Sequence, residues 1–108
     1  MPITRNFRKT VWARAQRDRR FRAALLTEAI NEFLVGDLQA GKAMLRDYVN
    51  ATITFDGLAE AVEKPSKSLQ RMLGPRGNPT AESLFAIIKV LQDTERVRLQ
   101  VKVTKKAA

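Results

Sequence analysis

Four residues whose side chains can donate hydrogen bonds to DNA bases share one side of a short predicted helix. They are Ser66, Lys67, Gln70 and Arg71. The opposite side holds Leu69, Met72 and Leu73, which recur at helical spacing and are expected to turn inward. Arg and Lys donate to guanine, and Gln pairs with adenine, in the major groove. The polar side is therefore predicted to contact bases, although any amphipathic helical hairpin also has a polar side.

A second short helix is needed in front of this one to position it. Apolar residues at helical spacing predict that helix: Phe55, Leu58, Ala59 and Val62. The break falls at Glu63, Lys64 and Pro65, because proline is tolerated at the start of a helix and strongly disfavoured inside one. Residues 55–74 are thus predicted to form a helix-turn-helix, whose second helix would enter the major groove.

The charge of the chain favours a polyanionic partner. Its 108 residues include 20 Lys and Arg against 11 Asp and Glu, a net charge of +9. Residues 1–22 hold eight bases and one acid, residues 23–64 three bases and seven acids, and residues 65–108 nine bases and three acids. The basic segment 5–22 is a possible second DNA contact or a solvated face. The acidic middle would suit a basic protein partner, or is ordinary helix surface.

Catalysis is not expected from this composition. The chain has no Cys and no His, which removes thiolate chemistry, the usual general base and the commonest metal ligand. Glu60 and Glu63 lie three residues apart on a helix and could imitate a catalytic pair of carboxylates. The sequence offers no His, metal site or recognisable pocket beside them. We therefore expect no enzyme, no catalytic residue, no metal and no cofactor. Apolar runs of membrane-spanning length and a signal peptide are absent, so a cytoplasmic protein with no membrane association is expected.

Helical periodicity and capping residues divide the rest of the chain. The predicted regions are helices 4–17, 18–35 and 37–50 within an N-terminal region 1–50, the helix-turn-helix domain 53–92, and a segment 96–108. Asp18 and Asp37 are placed to cap helices, Thr80 to begin one, and Gly36 to end one. The apolar stripes of these helices include Leu34, Leu38 and Phe85. The expected fold class is all-α, with an N-terminal helical extension and a short C-terminal strand.

The C-terminal segment changes to a period of two. Val97, Leu99, Val101 and Val103 alternate with polar residues, which is typical of a half-buried strand. The sequence offers no second strand to pair with it. We therefore expect residues 96–103 to pair with the same segment of another copy, giving a homodimer; pairing with another protein, or a mobile segment, are the alternatives.

The motif and its surroundings resemble a known family. The relevant stretches are Leu58-Ala59-Glu60-Ala61-Val62, Pro65-Ser66-Lys67-Ser68-Leu69, Arg71-Met72-Leu73-Gly74 and Gly77-Asn78-Pro79-Thr80. Together they are similar to the phage-repressor-like helix-turn-helix of HigA-type antitoxins, the addiction-module antidote proteins. The stretch from Gly36-Asp37 to Thr52 is similar to the helix before the motif in this family, so the resemblance covers about residues 5–92.

The resemblance implies a function and a set of contacts. It implies an all-α DNA-binding protein that dimerises on a palindromic operator, represses its own operon and neutralises a toxin similar to the RelE and HigB ribonucleases. It implies that Ser66, Lys67 and Arg71 face bases, with Gln70 nearer the rim. The DNA backbone would be contacted by Ser68, Arg76, Asn78 and Thr80.

The turn departs from the family pattern and leaves two alternatives open. Glu63 and Lys64 stand where the family commonly has Gly and an aliphatic residue, so Glu63 is expected to hold an unfavourable backbone conformation. One alternative is a toxin-binding module with weak DNA binding. The other is a stand-alone prophage-type regulator without a toxin.

Overall fold

The computed structural model describes residues 5–107, with side chains from Lys9 onward. Residues 1–4 of the predicted N-terminal region and residue 108 of the predicted tail lie outside this range. Within it the chain forms helices and irregular segments but no strand, so the fold is all-helical. The helices are α1 (Arg5–Arg17), α2 (Arg19–Leu34), α3 (Leu38–Ala51), α4 (Thr54–Val62), α5 (Ser66–Met72) and α6 (Ala81–Glu95).

Three helices begin near the predicted residues, and each begins after a capping side chain. Asp18 accepts a hydrogen bond from the Phe21 backbone N–H at 3.1 Å, and Asp37 accepts one from Ala40 at 3.0 Å. Thr80 accepts from the backbone N–H of Ser83 at 3.1 Å. Each bond satisfies a donor that the first turn of a helix leaves without an intrahelical partner. The predicted starts of α2, α3 and α6 are confirmed.

The connection between α4 and α5 is three residues long, as predicted. Glu63 adopts a left-handed conformation with φ 55° and ψ 47°, which lets the Lys64 N–H bond to the Ala59 carbonyl oxygen at 3.2 Å. Pro65 is extended, with φ −60° and ψ 138°, and its carbonyl oxygen accepts from the N–H groups of Ser68 and Leu69. The expected unfavourable conformation of Glu63 is thus present, and α5 begins directly after Pro65.

A single cluster of buried side chains joins the N-terminal helices to the last three. Its members come from α2 through α6: Leu26, Ala29, Leu45, Tyr48, Val49, Phe55, Leu58, Leu69, Leu73, Ile87, Ile88 and Leu91. The hairpin of α4 and α5 is therefore packed on a rigid helical support rather than standing alone. This support holds the outer side of α5 in place.

Three residues predicted to turn inward are largely exposed. Phe85 is 66% exposed, Leu34 61% and Leu38 58%. Phe85 follows Leu84, and successive residues of a helix lie about 100° apart, so Phe85 leaves the face that Leu84, Ile88 and Leu91 turn to the core. Leu34 ends α2 and Leu38 begins α3, so both stand at the corner where the chain reverses. For these three residues the predicted burial is wrong.

The C-terminal segment packs on the core only at its beginning. Arg96 ends α6 in a left-handed conformation, with φ 58° and ψ 43°. Val97 and Leu99 then pack against the core, and the Leu99 N–H donates to the Gln92 side chain at 2.8 Å. From there to residue 107 the side chains are exposed, including Val101 and Val103. Residues 97–107 form neither helix nor strand within the single chain.

Candidate nucleic-acid interface

The exposed side of α5 carries the predicted donors. Lys67, Gln70 and Arg71 are exposed, while Leu69 is fully buried on the other side. Lys67 and Arg71 are four residues apart, so their side chains stand next to each other along the helix, opposite Leu69. The helix thus presents two neighbouring cations and an amide to solvent.

Ser66 and Gln70 form one flank of α5. Gln70 Nε2 donates to Ser66 Oγ at 3.1 Å, and Ser66 is half-buried. Both line a cleft of about 510 Å³ between α5 and the second half of α3, where Arg46 and Asn50 face them. Gln70 therefore uses one amide N–H inside the protein and keeps the rest of its amide for a ligand.

The other flank brings together Arg71 and the loop that follows α5. Ser68, Arg71, Arg76 and Asn78 line a cleft of about 320 Å³. Three of these residues were predicted as DNA-backbone contacts and one as a base contact. Their common location makes a continuous polar and basic rim on this side of α5.

Thr80 lies apart from both clefts. Its Oγ1 accepts from the Ser83 N–H and also bonds to Ser83 Oγ at 3.0 Å, as the cap of α6. The side chain is exposed but already engaged in the helix cap. The structure therefore gives Thr80 a role in beginning α6 and does not bring it together with the other predicted contacts.

The loop after α5 is held by three side chains of α3. Gln39 Nε2 donates to the Pro75 carbonyl oxygen at 3.1 Å, Lys42 Nζ to that of Gly77 at 2.6 Å, and Arg46 Nη1 to that of Leu73 at 2.5 Å. The three donors are spaced by three and four residues, so they share one face of α3. Every second carbonyl group from residue 73 to residue 77 is thereby bound to the same helix. We call this set of contacts the loop clamp.

Gly77 lets the clamped loop pass close to α5. A Cβ atom at this position would lie 2.2 Å from the carbonyl oxygens of Arg71 and Met72, too close for any other residue type without a backbone shift. The Gly77 N–H also bonds to the Gly74 carbonyl oxygen at 3.0 Å. This close approach keeps Arg76 and Asn78 beside Arg71.

The clamp residues Gln39, Lys42 and Arg46 were not predicted from the sequence. Lys42 is only 5% exposed, although lysine is rarely buried without a partner. Lys42, Leu45 and Val49 follow the spacing of a buried helix face. A charged residue on that face could have revealed the clamp, because a buried lysine needs a hydrogen-bond acceptor from another element.

Cations dominate this side of the molecule. Lys67, Arg71 and Arg76 are exposed, Arg46 is half-buried and Lys42 is buried. In the part of the chain that the structure describes, the ion pairs are Arg14–Asp18, Arg22–Glu95 and Lys89–Asp93, so none of these five cations is neutralised by a carboxylate. Asp56 is the acidic residue that lines the Ser66–Gln70 cleft. The positive potential around α5 therefore remains available to an anionic partner.

A second polar group lies inside the protein at the far end of α6. Both carboxylate oxygens of Glu95 lie 3.0 Å from Arg22 Nε, and Tyr48 Oη donates to one of them at 2.6 Å. Burial, and then the hydrogen bond to Glu95, raise the pKa of the Tyr48 phenol above its ordinary value of 10.0. The hydroxyl therefore stays protonated as a donor. This group joins α2, α3 and α6, and its Arg22 and Glu95 also line a cleft of about 300 Å³.

Neither a metal site nor a membrane-spanning helix is present in residues 5–107. No group of three or more acidic residues in that range is arranged to hold a metal ion. No helix there is long and apolar enough to cross a membrane.

Comparison with known proteins gives no relative. No protein-family model matches the chain, and neither a curated protein nor a solved structure is significantly similar to it. The resemblance to HigA-type antitoxins therefore stays a prediction that depends on the motif residues.

Proposed function

We propose that this chain is a sequence-specific DNA-binding protein in which α4 and α5 act as a helix-turn-helix. The observation that carries the proposal is the exposed row of Lys67, Gln70 and Arg71 opposite the buried Leu69. A helix that enters a major groove needs such a row of donors on its outer side and a fixed support behind it. The shared core and the loop clamp are the support.

The proposed contacts divide between bases and phosphates. Lys67 and Arg71, with Ser66 and Gln70 beside them, donate to base edges. The loop residues Arg76 and Asn78, with Ser68, contact the phosphate backbone and fix the orientation of α5. Each neutralised phosphate releases counterions, so affinity falls steeply with salt concentration.

We propose further that the protein is the antitoxin and autorepressor of a type II toxin-antitoxin operon and acts in the cytoplasm. The motif residues quoted above support this part. Its partner would be a RelE- or HigB-like ribonuclease, and the DNA a palindromic operator. A small RelE-like reading frame beside this gene, whose product co-purifies with the chain, would support it. A DNA-binding protein without such a neighbour would instead be a stand-alone regulator.

The homodimer that a palindromic operator requires is proposed to form through the C-terminal segment. Val101 and Val103 are 76% and 93% exposed, and residues 5–107 hold no strand with which this segment could pair. Truncation after Leu99 keeps the part that packs on the core and removes the rest. The truncated protein should be a monomer by light scattering, with an unchanged helical circular-dichroism spectrum. A dimer of unchanged stability would place the interface elsewhere.

The central test starts from random DNA duplexes, because the operator is unknown. Selection with the purified protein should enrich a short palindromic sequence. Fluorescence anisotropy should then give tighter binding to that duplex than to a scrambled one, by about a thousandfold. Co-purification with a ribonuclease in the absence of any enriched sequence would favour a toxin-binding module. If no sequence were enriched and no ribonuclease co-purified, the proposal as a whole would be refuted.

A further inference from the structure

A third cleft lies behind the loop that follows α5. It has a volume of about 300 Å³ and is formed by α2, α3, the loop and α6. Its lining includes the apolar side chains of Phe33, Leu38, Pro79 and Leu84, together with two cations, the buried Lys42 and the exposed Arg76. A cleft of this size with mostly apolar walls and a few polar or charged groups is typical of a site for a small molecule.

Lys42 is a buried cation without a matching anion. It is 5% exposed, and its Nζ donates to the Gly77 carbonyl oxygen at 2.6 Å. An ammonium group has three donors, so two remain after this bond. Within residues 9–107, no carboxylate lies at ion-pair distance from it. Removing an ammonium from water is costly unless an opposite charge compensates it.

We propose that this cleft binds a small monocarboxylate with an apolar body, whose carboxylate pairs with Lys42 Nζ. The carboxylate supplies the missing negative charge and accepts the remaining N–H donors. The apolar body covers Phe33, Leu38 and Leu84. Burial of this apolar surface favours binding, and an inorganic anion cannot supply it. Both halves of the ligand are thus specified by the residues of the cleft.

The position of the cleft allows a bound ligand to affect the surface of α5 through the loop. Arg76, Gly77 and Asn78 line this cleft and also the cleft beside Arg71. A ligand on Lys42 therefore binds to one side of a loop whose other side borders the proposed DNA contacts. An effect on DNA binding would rest on the proposed function, whereas ligand binding itself does not.

Benzoate, benzamide and acetate are suitable probes, because they separate the charge from the apolar body. Each is titrated into the full-length, ¹⁵N-labelled protein and followed by amide chemical shifts. Benzoate should shift the signals of Gly77 and Leu84 in a saturable manner. Benzamide and acetate should bind at least about tenfold more weakly, the effect of losing one charge-assisted hydrogen bond or the apolar contact. The proposal would be overturned if benzoate and benzamide bound equally well, or if benzoate changed amide chemical shifts only outside the cleft.

Two matched variants test the role of the lysine. Lys42→Met keeps the length of the side chain but removes its charge, and should weaken benzoate binding by at least about tenfold. Lys89→Met removes an exposed lysine of α6 and should leave benzoate binding unchanged. Undiminished binding by Lys42→Met would contradict the proposal. If the Lys42→Met protein does not fold, the comparison of benzoate with benzamide on the unaltered protein tests the proposal instead.

Discussion

Arg22 on α2 and Glu95 on α6 are 73 residues apart in the chain, yet Arg22 Nε lies 3.0 Å from both carboxylate oxygens of Glu95. The Glu95 side chain is 4% exposed and the Arg22 side chain 24%. Arg22 Nη1 also donates to the Ala15 carbonyl oxygen at 2.8 Å, so the pair connects α1, α2 and α6. This ion pair is therefore a principal link between the N-terminal helices and the end of the last helix.

Loss of the Glu95 charge should destabilise the protein strongly. Glu95→Gln leaves the Arg22 guanidinium without its anion, and such a loss costs about 3 kcal/mol in buried pairs. The matched control is Asp93→Asn, which breaks the Lys89–Asp93 pair with side chains 74% and 67% exposed and should cost less than about 1 kcal/mol. Urea unfolding measures both. Similar losses for the two variants would show that the buried pair contributes no more than the exposed one.

Asp18 should make stability depend on pH in the acidic range. The Phe21 backbone N–H, aided by the Arg14 guanidinium, holds the pKa of Asp18 below its ordinary value of 3.8. The carboxylate is thus favoured by folding, so its contribution is fully present above pH 3.8 and is lost as the pH falls through the lower pKa of the folded state. Asp18→Asn keeps the cap but removes the charge. The difference in Tm between the two proteins should be constant near neutral pH and vanish in acid; a difference that persists would contradict this role.

Glycine at position 63 should stabilise the protein. Glu63 holds a left-handed conformation, which costs an ordinary residue about 1 kcal/mol and glycine much less. Glu63→Gly should therefore raise the free energy of unfolding by up to about 1 kcal/mol. Glu60→Gly removes the same charge inside α4 and should lower it by about 0.5 to 1 kcal/mol. Thermal unfolding of both variants tests the contrast, and a destabilised Glu63→Gly protein would mean that the Glu63 side chain contributes more than the strain.

Arg71→Ala should weaken binding to the selected DNA duplex by about 1 to 3 kcal/mol and relax the preference at one base pair. The reason is its position beside Lys67 on the outer side of α5. Anisotropy with a set of single-base variants of the duplex measures both effects, and Lys89→Ala is the control for losing an exposed cation. Unchanged affinity of the Arg71→Ala protein would show that α5 does not enter the major groove.

Arg76→Ala should act differently, because its position in the clamped loop suits a phosphate contact. Binding should weaken alike for selected and scrambled duplexes, and the slope of log affinity against log salt concentration should fall by about one. Titrations at several salt concentrations give the slope. If the slope were unaltered, the loop would not lie on the DNA backbone.

Local signals in the sequence predicted much of this fold. Caps and breakers act on nearby backbone groups, so Asp18 and Asp37 identified the starts of two helices, and the Gly- and Pro-rich stretch before Thr80 identified the start of a third. The unfavourable conformation of Glu63 was expected from the resemblance of the flanking motif, because the family commonly has Gly at this position. These features depend on neighbours that are visible in the sequence.

Long-range partners could not be predicted in the same way. Lys42 bonds to a carbonyl group 35 residues away, and Glu95 to an arginine 73 residues away. Periodicity tells which residues share a face but not which element covers that face, so it placed Phe85 in the core and overlooked Lys42. The polar side of α5 was predictable because it depends only on the buried Leu69 opposite.

The loop clamp has a consequence for how this surface could change during evolution. Gln39, Lys42 and Arg46 bind carbonyl groups, which every amino acid carries, and not the side chains of the loop. Substitutions at the exposed positions 76 and 78 can therefore alter the surface of the loop while its path is preserved. The exposed surface of the loop and its path thus depend on different residues, so the surface can diversify without a new fold.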